Sequence, residues 1–248
     1  MKRMPNIKLT DEEMELLLED QIFDYGGEAI IFKSERNTLY KIFMLPGTNS
    51  IEGMSDNKFR KVLSLYEHPR KYCIHPLSTL SLNGMLIGCE IDYDEDDISL
   101  LNATLLREEK IYYLKKAKVE LEYFTSEDIT YGDVKDDNIL MNQKNGKVKF
   151  CDIDNIRLGV YPIDVMSDEL TDFVKIYGKT DESADVYMHN LLTLEQLHFH
   201  NFSHRQILQN LLNGNYPKEF PNQTHRIIDS MLKPEQFNGD YIIQYIKK

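Results

Sequence analysis

The ten residues Tyr131–Leu140, YGDVKDDNIL, constrain the fold more than any other stretch of the chain. They combine four acidic or amide side chains and one lysine with an aliphatic pair at their end. A solvated loop accounts for the charges but not for the aliphatic pair, whereas a buried strand accounts for the pair but not for the charges. We therefore expect a polar loop that is held rigid by a strand inserted into a core.

The segment after this loop is expected to form a β-hairpin. NILMNQ and KVKFCDID lie on either side of Asn145-Gly146, a pair typical of tight turns. Such a hairpin would bring Asn138 and Asp152 side by side at its open end. Two oxygen donors at one point suit a hard divalent cation such as Mg²⁺, which keeps waters and phosphate oxygens as its other ligands.

Two further residues of the loop are candidates for catalysis. Asp133 would lie near the metal without binding it, free to orient a hydroxyl group and accept its proton. Lys135 could place a positive charge against a transferred phosphoryl group. The pattern therefore favours chemistry at a phosphate.

Composition limits the partners and the compartment. The chain has 248 residues, a net charge of −12 and a pI of about 5.1, which argues against binding nucleic acid through its phosphates. No apolar run approaches the ~20 residues of a membrane helix, and the N-terminus does not resemble a signal peptide. Three cysteines without paired spacing, Cys73, Cys89 and Cys151, are expected to be buried thiols in a reducing cytoplasm.

The expected elements change character near residues 92–98, where the chain carries an acidic run that we interpret as a solvated loop. A small β-rich half precedes this boundary and a larger helical half follows it, which predicts an α+β protein. The expected elements are a helix at 11–20 capped by Thr10, strands within 21–45, a helix at 55–67, strands around 73–82 and 85–93 joined by Asn83-Gly84, a helix at 103–124, and helices from about 184 onward.

Several motifs, in the right order over about residues 20–200, resemble the protein-kinase-like family. YGDVKDDNIL followed by FCDID resembles its catalytic loop and metal-binding aspartate. TLYKIF resembles its third strand, with Lys41 as the lysine that contacts the α- and β-phosphates of the nucleotide. DYGGEAIIFK resembles its glycine-rich loop, and SADVYMHNLLTL resembles the buried helix whose aspartate, here Asp185, braces the catalytic loop.

The resemblance implies a two-lobed fold and an enzyme that transfers the γ-phosphate of ATP to a hydroxyl group, most directly on protein Ser or Thr. The implied lobes are an antiparallel, β-rich N-lobe at 1–91 and a mostly helical C-lobe at 99–248, joined by a hinge at 92–98. ATP and Mg²⁺ are the implied cofactors, and ATP is expected between the lobes. The implied site residues are catalytic Asp133 and Lys135, metal-binding Asn138 and Asp152, and nucleotide-binding Gly26, Gly27, Ala29, Ile31, Lys41, Ile91 and Tyr93.

Departures from the family pattern leave two alternatives open. Gly132 stands where many protein kinases carry Arg, and Tyr-Gly-Asp is similar to the motif of small-molecule kinases such as aminoglycoside or choline kinases. Lys135 instead favours a protein acceptor, although no Ala-Pro-Glu motif is present. The second alternative is a pseudokinase that binds nucleotide without turnover.

The pseudokinase alternative rests on the N-terminal half. Asp24 and Ala29 replace two glycines of the phosphate loop, and residues 55–66 contain no Glu to pair with Lys41. Glu52 and Glu67 flank this stretch at unexpected places. In the C-terminal half, Asp154 stands where the family has Gly, which adds a carboxylate next to the expected metal site.

Overall fold

The computed structural model of the chain describes residues 3–20, 22–25, 28–45, 48, 50–69, 73–152, 156–163, 166–237 and 239–247. The chain divides into two compact units, Met1–Glu95 (unit 1) and Asp96–Lys248 (unit 2), and each is described by itself. Helices and strands together make an α+β protein, as predicted. Within the described ranges, no helix combines the length and apolar character needed to cross a membrane.

Unit 1 contains a six-stranded sheet and two helices in its described residues. The strand order is β1-β5-β6-β4-β3-β2. The elements are β1 (Asn6–Leu9), α1 (Asp11–Asp20), β2 (Ile22–Tyr25), β3 (Ala29–Lys33), β4 (Leu39–Phe43), α2 (Asp56–Glu67), β5 (Pro76–Leu82) and β6 (Met85–Ile91).

The expected all-antiparallel sheet is wrong at one edge, because β1 pairs in parallel with β5. Asn6 lies opposite Thr79 and Leu9 lies opposite Leu82. The strand is four residues long and its partner is distant in sequence, so no local turn or alternation marks it. The sheet is therefore mixed rather than antiparallel.

The helix starts and the hairpin of unit 1 follow the predicted local chemistry. The Thr10 hydroxyl accepts a hydrogen bond from the Glu13 amide at 3.2 Å, and the Glu13 carboxylate accepts one from the Thr10 amide at 2.7 Å. These reciprocal bonds cap α1 as expected. Asn83 and Gly84, with φ of 52° and 83°, form the predicted turn between β5 and β6.

Two layers pack against the sheet of unit 1. One face is packed by Leu17 of α1 against strand residues such as Ile42 and Leu80. The other face carries Cys89 and packs against Val62 of α2. Sheet and helices thus bury apolar side chains on both faces, which is why the central strands β4 and β6 are nearly continuous apolar runs.

Unit 2 is mostly helical, as expected for the second half of the chain. Its strands are β7 (Asp97–Ser99), β8 (Ile129–Thr130), β9 (Ile139–Asn142), β10 (Lys147–Phe150) and β11 (Arg157–Leu158). Its helices are α3 (Arg107–Ser126), α4 (Asp168–Tyr177), α5 (Glu182–Leu197), α6 (His204–Leu212) and α7 (Asn222–Met231), followed by short 3₁₀ turns at Pro234–Gln236 and Ile242–Tyr245.

The predicted hairpin is present, but its turn is longer than expected. Asn142 pairs with Lys147, so residues 143–146 connect β9 to β10 rather than Asn145-Gly146 alone. Gly146 still supplies the positive φ, at 69°. The four-residue connection shifts the register by two residues relative to a turn of Asn145-Gly146 alone, which would pair Ile139 with Asp152. Phe150 instead lies opposite Ile139, next to Asn138.

The prediction of a solvated acidic loop is wrong for Asp97. This residue lies on β7, which pairs with β9, and its side chain is only 5% exposed. Its carboxylate accepts hydrogen bonds from Asn142 Nδ2 at 3.0 Å and from Lys149 Nζ at 2.9 Å. A lysine and an amide from the hairpin compensate the burial of the charge, and no local pattern shows such partners.

The three cysteines form no disulfide. Cys73 and Cys89 are buried, as predicted. Cys151 is partly exposed, because it follows the last residue of β10 at the open end of the hairpin.

Candidate active site

The loop of residues 131–138 joins β8 to β9, and its conformation depends on a glycine near its start. Gly132 has φ of +79°, a region that L side chains rarely adopt. A Cβ atom at this position would lie 2.5 Å from Ile163 Cδ1. Backbone conformation and packing therefore explain the glycine at a position where the resemblance expects an arginine.

Asp185 of α5 holds the start of this loop. Its two carboxylate oxygens accept hydrogen bonds from the backbone amides of Tyr131 and Gly132, each at 2.7 Å. Burial raises the pKa of Asp185 to about 7, while these two amides act in the opposite direction. The predicted bracing role of Asp185 is confirmed at the level of these bonds.

The side chain of Tyr131 anchors the loop from the other side. Its buried ring packs against Phe124 and Phe150, with ring centroids 5.8 Å and 4.8 Å away. Its hydroxyl donates a hydrogen bond to the carbonyl of Cys151, the residue before Asp152. One tyrosine thus ties the loop to the open end of the hairpin, a role that the sequence analysis missed.

Asp133 lies at the centre of a small polar network. Its Oδ2 accepts a hydrogen bond from Asn138 Nδ2 at 2.7 Å and lies 3.2 Å from Lys135 Nζ. Burial raises the pKa of Asp133, Lys135 lowers it, and the charge of Asp152 raises it further. A carboxyl group whose pKa is moved towards neutrality accepts a proton more readily than an ordinary aspartate.

Lys135 bridges two carboxylates of the loop. Its Nζ lies 3.2 Å from Asp133 Oδ2 and 3.7 Å from Asp137 Oδ2. Burial lowers the pKa of Lys135, but the two carboxylates outweigh this and leave it above its ordinary value. The ammonium group therefore stays charged over the physiological range, next to the candidate base.

Asn138 and Asp152 lie at the open end of the hairpin. The amide of Cys151 donates to the carbonyl of Asn138 at 3.1 Å, so Asp152 directly follows the residue opposite Asn138. Asp152 is exposed and has φ of +58°. The Asn138 amide nitrogen donates to both the carbonyl and the carboxylate of Asp133. Its Oδ1 accepts a weak hydrogen bond from Cys151 Sγ at 3.7 Å and keeps a second lone pair for a further ligand.

The chemistry of this donor pair fits Mg²⁺. An amide oxygen and a carboxylate are the hard ligands that this cation prefers, and it would take its remaining ligands from water and phosphate oxygens. In the part of the chain that the structure describes, no group of three or more His, Cys, Asp or Glu side chains could hold a metal ion by itself. Asp154, the additional carboxylate noted in the sequence, lies outside the described residues.

The candidate nucleotide residues of unit 1 lie on three adjacent strands and the segment after them. Lys41 of β4 is 7% exposed and is paired between Ile31 of β3 and Cys89 of β6. Gly88 precedes Cys89, and a Cβ atom there would lie 2.1 Å from the Lys41 carbonyl oxygen, so only glycine permits this strand pairing.

The remaining candidates of unit 1 surround this strand pairing. Ala29 is buried at the start of β3, and Ile91 ends β6. The Tyr93 ring contacts Phe23 of β2 edge-on at 5.4 Å. Gly26 and Gly27 belong to the segment between β2 and β3 and lie outside the described residues.

Helix α2 packs on the sheet face that carries Lys41 and Cys89. It places lysines where the resemblance expects a glutamate. Lys58 and Lys61 are among the buried residues of α2. Lys58 Nζ lies 3.3 Å from Glu28 Oε2 and 4.3 Å from the centre of the Phe43 ring. Lys41 Nζ approaches the same ring, at 5.7 Å.

The acidic partner of Lys58 was missed by the sequence analysis. Glu28 follows the glycine pair and is not on α2, so no helical spacing relates it to Lys58. Glu67, which was noted as out of place, ends α2, and its Oε1 is buried without a hydrogen-bond partner among the described residues.

Gln196 and Arg157, which also support the loop, were missed by the sequence analysis as well. Asp136 accepts a hydrogen bond from Gln196 Nε2 of α5 at 3.0 Å. Arg157 of β11 donates to Thr130 Oγ1 at 3.0 Å, directly before the loop. The apolar character of α5 was visible in the sequence, but the two long-range partners carry no local signal.

No protein-family model matches the sequence, and no curated protein matches it closely enough to count as a relative. The resemblance therefore depends on the motif residues and on their geometry within each unit.

Proposed function

We propose that the chain is an ATP- and Mg²⁺-dependent phosphotransferase with a two-lobed, protein-kinase-like fold. The observation that carries the proposal is the network around Asp133, whose carboxylate is bonded by Asn138 and Lys135. The backbone that carries this network is fixed at its start by Asp185. A catalytic carboxylate needs such fixed partners, because its orientation towards an acceptor hydroxyl decides the rate.

Asp133 acts as the base in this proposal. It accepts a hydrogen bond from the acceptor hydroxyl, orients its oxygen for in-line attack and takes its proton as the new bond forms. Its raised pKa supports this role. Lys135 offsets the negative charge that accumulates beside Asp133 during transfer.

Asn138 and Asp152 would hold the magnesium ion, and Lys41 in unit 1 would contact nucleotide phosphates. When bound, Mg²⁺ would neutralise phosphate charge and orient the leaving group. Ala29, Ile31, Ile91 and Tyr93 are assigned to the nucleotide by the same proposal, with Gly26 and Gly27. The apolar side chains of this set suit the flat base of a nucleotide.

The proposed acceptor is a protein Ser or Thr hydroxyl. Lys135 supports this choice through the resemblance, and its contact with Asp133 places its charge beside the proposed base. The small-molecule alternative rested partly on Gly132, and the positive φ and the contact with Ile163 give that glycine a structural explanation. The absence of an Ala-Pro-Glu motif still favours a small acceptor.

One observation favours the pseudokinase as a second candidate. In its described residues α2 directs Lys58, rather than a glutamate, towards the sheet face on which Lys41 lies. A protein with this arrangement could bind nucleotide phosphates through lysines without aligning them for transfer.

The test replaces Asp133 by its uncharged isostere, Asp133→Asn. We expect phosphate transfer from γ-labelled ATP, measured with basic proteins and with small hydroxyl compounds, to fall by about 10²–10⁴-fold. Binding of ATP with Mg²⁺, measured by thermal shift, should remain. The matched control is Asp137→Asn, which also removes a carboxylate next to Lys135 but should cost less than about tenfold.

Each outcome decides between the candidates. If the Asp133→Asn variant transferred phosphate at the wild-type rate, Asp133 would not be the catalytic base. ATP binding without transfer to any acceptor would favour the pseudokinase. A wild-type protein that does not bind ATP would contradict both candidates.

A further inference from the structure

A second cluster of functional groups lies in unit 2 between α4, α5 and α6. These helices enclose a cavity of about 230 Å³. Glu169 and Asp168 of α4 and His204 of α6 contribute its polar wall, and Tyr187, Leu191 and Leu208 its apolar wall. The cavity is smaller than typical ligand pockets of ~300–1,000 Å³, so it suits the end of a molecule rather than a whole one.

The hydrogen bonds of the two ring nitrogens of His204 indicate which kind of ligand this cavity could bind. The His204 side chain is 10% exposed, and its Nε2 lies 3.2 Å from Glu195 Oε2. A carboxylate only accepts hydrogen bonds, so Nε2 carries a hydrogen. In the tautomer that is protonated at Nε2 alone, Nδ1 is a hydrogen-bond acceptor. Nδ1 is buried and has no hydrogen-bond partner among the residues that the structure describes.

A second acceptor lies next to this nitrogen. Glu169 Oε1 is 3.7 Å from His204 Nδ1, which is too far for a direct hydrogen bond between them. One nitrogen that donates at about 2.9 Å can reach both acceptors at once. Leaving a buried acceptor unpaired is unfavourable, so a donor that fills this position gains a hydrogen bond in addition to its charge interaction.

We propose that this cavity binds a primary alkylammonium group. The ammonium donates to His204 Nδ1 and to Glu169, and its alkyl chain packs against Leu191 and Leu208. Asp168 adds a negative charge at the rim. Asp172 adds little, because Arg205 already binds its carboxylate with hydrogen bonds of 2.7 Å and 3.2 Å.

Two features of the site act against a cation, the Arg205 guanidinium that also lines the cavity and the N-terminus of α6, and the experiment therefore includes an anion. α6 begins at His204, and helix N-termini attract anions. The first turn of α4 places two carboxylates at the same cavity, which oppose an anion. Inorganic phosphate is thus the informative competitor.

The first measurement is calorimetric titration of the full chain, without nucleotide, with three probes. We expect saturable binding of n-butylammonium and no binding of inorganic phosphate. Tetramethylammonium has the same charge but no N–H donor, and should bind at least about tenfold more weakly, since the proposal depends on hydrogen bonds. Equal binding of the two cations, or binding of phosphate instead, would overturn the proposal.

The second measurement uses variants. Glu169→Gln keeps the shape of the side chain and should weaken n-butylammonium binding by about tenfold or more. Glu108→Gln is the matched control, because Glu108 is exposed and also lies in the first turn of a helix, α3. It should bind like the wild type, and equal binding by Glu169→Gln would contradict the proposal.

A direct observation on the wild type covers the case in which a variant does not fold. The ¹⁵N resonance of His204 Nδ1 should shift as it accepts the hydrogen bond from n-butylammonium, and the shift should saturate with the calorimetric curve. An unchanged resonance at saturating amine would overturn the assignment of the site.

The natural source of the group is separated by two further probes, Nα-acetyl-lysine methylamide and 1,5-diaminopentane. Tighter binding of the lysine derivative identifies a polypeptide side chain, and tighter binding of the diamine identifies a free polyamine. Failure of both to bind rejects the site. None of these readouts involves ATP, so they are independent of the proposed phosphotransfer.

Discussion

Helix α5 in unit 2 and helix α2 in unit 1 both bury polar side chains, but they use them differently. In α5, Asp185 binds two amides of the 131–138 loop, and His189 Nε2 donates to the carbonyl of Leu114 in α3 at 3.0 Å. Asn190 binds the chain near the C-terminus, through the Asp240 carbonyl at 2.9 Å and the Ile242 amide at 2.8 Å. One helix thus fixes the backbone of three other segments.

The contacts that Lys58 of α2 makes with Glu28 and Phe43 are instead between side chains. A long lysine side chain has several rotatable bonds, and its contacts with another side chain do not fix any backbone. We infer that α5 is a rigid support for the candidate base, and that the Lys58 contacts hold α2 less firmly than the backbone hydrogen bonds of α5 hold the loop.

The largest expected effect is on α5, where Asp185→Ala should cost about 2–5 kcal/mol of unfolding free energy. The substitution leaves the amides of Tyr131 and Gly132 buried without acceptors, at about 1–3 kcal/mol each. Urea unfolding at constant pH measures the change. Asp181→Ala removes the N-cap of the same helix and a solvent-screened ion pair with Lys179, and should cost about 1 kcal/mol. Equal losses in the two variants would contradict the special role of Asp185.

The second prediction concerns the unfolding free energy at low pH, and it tests whether His189 of α5 is held as a neutral imidazole. Burial lowers the pKa of His189 to about 4, against an ordinary value near 6.5. The unfolded chain therefore binds more protons between these values, and stability that is present above pH 6.5 is lost as the pH falls towards 4. This residue accounts for about 3 kcal/mol of that loss.

His189→Gln removes the titrating group while keeping a donor for the Leu114 carbonyl. The difference in unfolding free energy between pH 7 and pH 4 should be about 3 kcal/mol smaller in this variant than in the wild type. His200→Gln replaces an exposed histidine and should keep the wild-type pH dependence. A variant His189→Gln that is as acid-sensitive as the wild type would show that the ring is not held neutral.

The same two helices show what sequence reasoning can and cannot reach. Both were expected as helices, and the bracing by Asp185 was implied by one motif of the resemblance. The cap of α2 by Ser55 was not predicted. His189 and Asn190 were missed, although polar residues between the apolar stretches 186–188 and 191–192 indicate buried hydrogen bonds. Glu28 could not be found in this way, because its partner Lys58 is thirty positions away and on another element.

Long-range pairing also explains the errors in the fold. Strand β1 and strand β7 are short, and each is defined by a distant partner rather than by its own pattern. The hairpin β9–β10 was found because its two strands are adjacent in sequence. Local chemistry thus predicts the candidate base and its neighbours, whereas the contacts between distant segments require coordinates.

The third prediction is smaller and concerns the loop that α5 supports. Gly132→Ala should cost about 1–3 kcal/mol, because alanine at φ of +79° is strained and its Cβ displaces the Ile163 side chain. Gly159→Ala is the control, since Gly159 also has a positive φ but no atom within 4 Å of the added Cβ. Thermal unfolding should rank Gly132→Ala as more harmful, and the reverse order would mean that the loop is held no more firmly than α2.

The smallest expected effect is the coupling between Glu28 and Lys58 in unit 1. Their charged atoms are 3.3 Å apart, with side chains 30% and 11% exposed, so solvent screens the pair in part. A double-mutant cycle with Glu28→Gln and Lys58→Met should give a coupling energy of about 0.5–1 kcal/mol. Methionine keeps the apolar stem against Phe43, so the cycle isolates the charge interaction. A coupling above about 3 kcal/mol would mean that α2 is held as firmly as α5, because only a desolvated and rigid pair reaches that value.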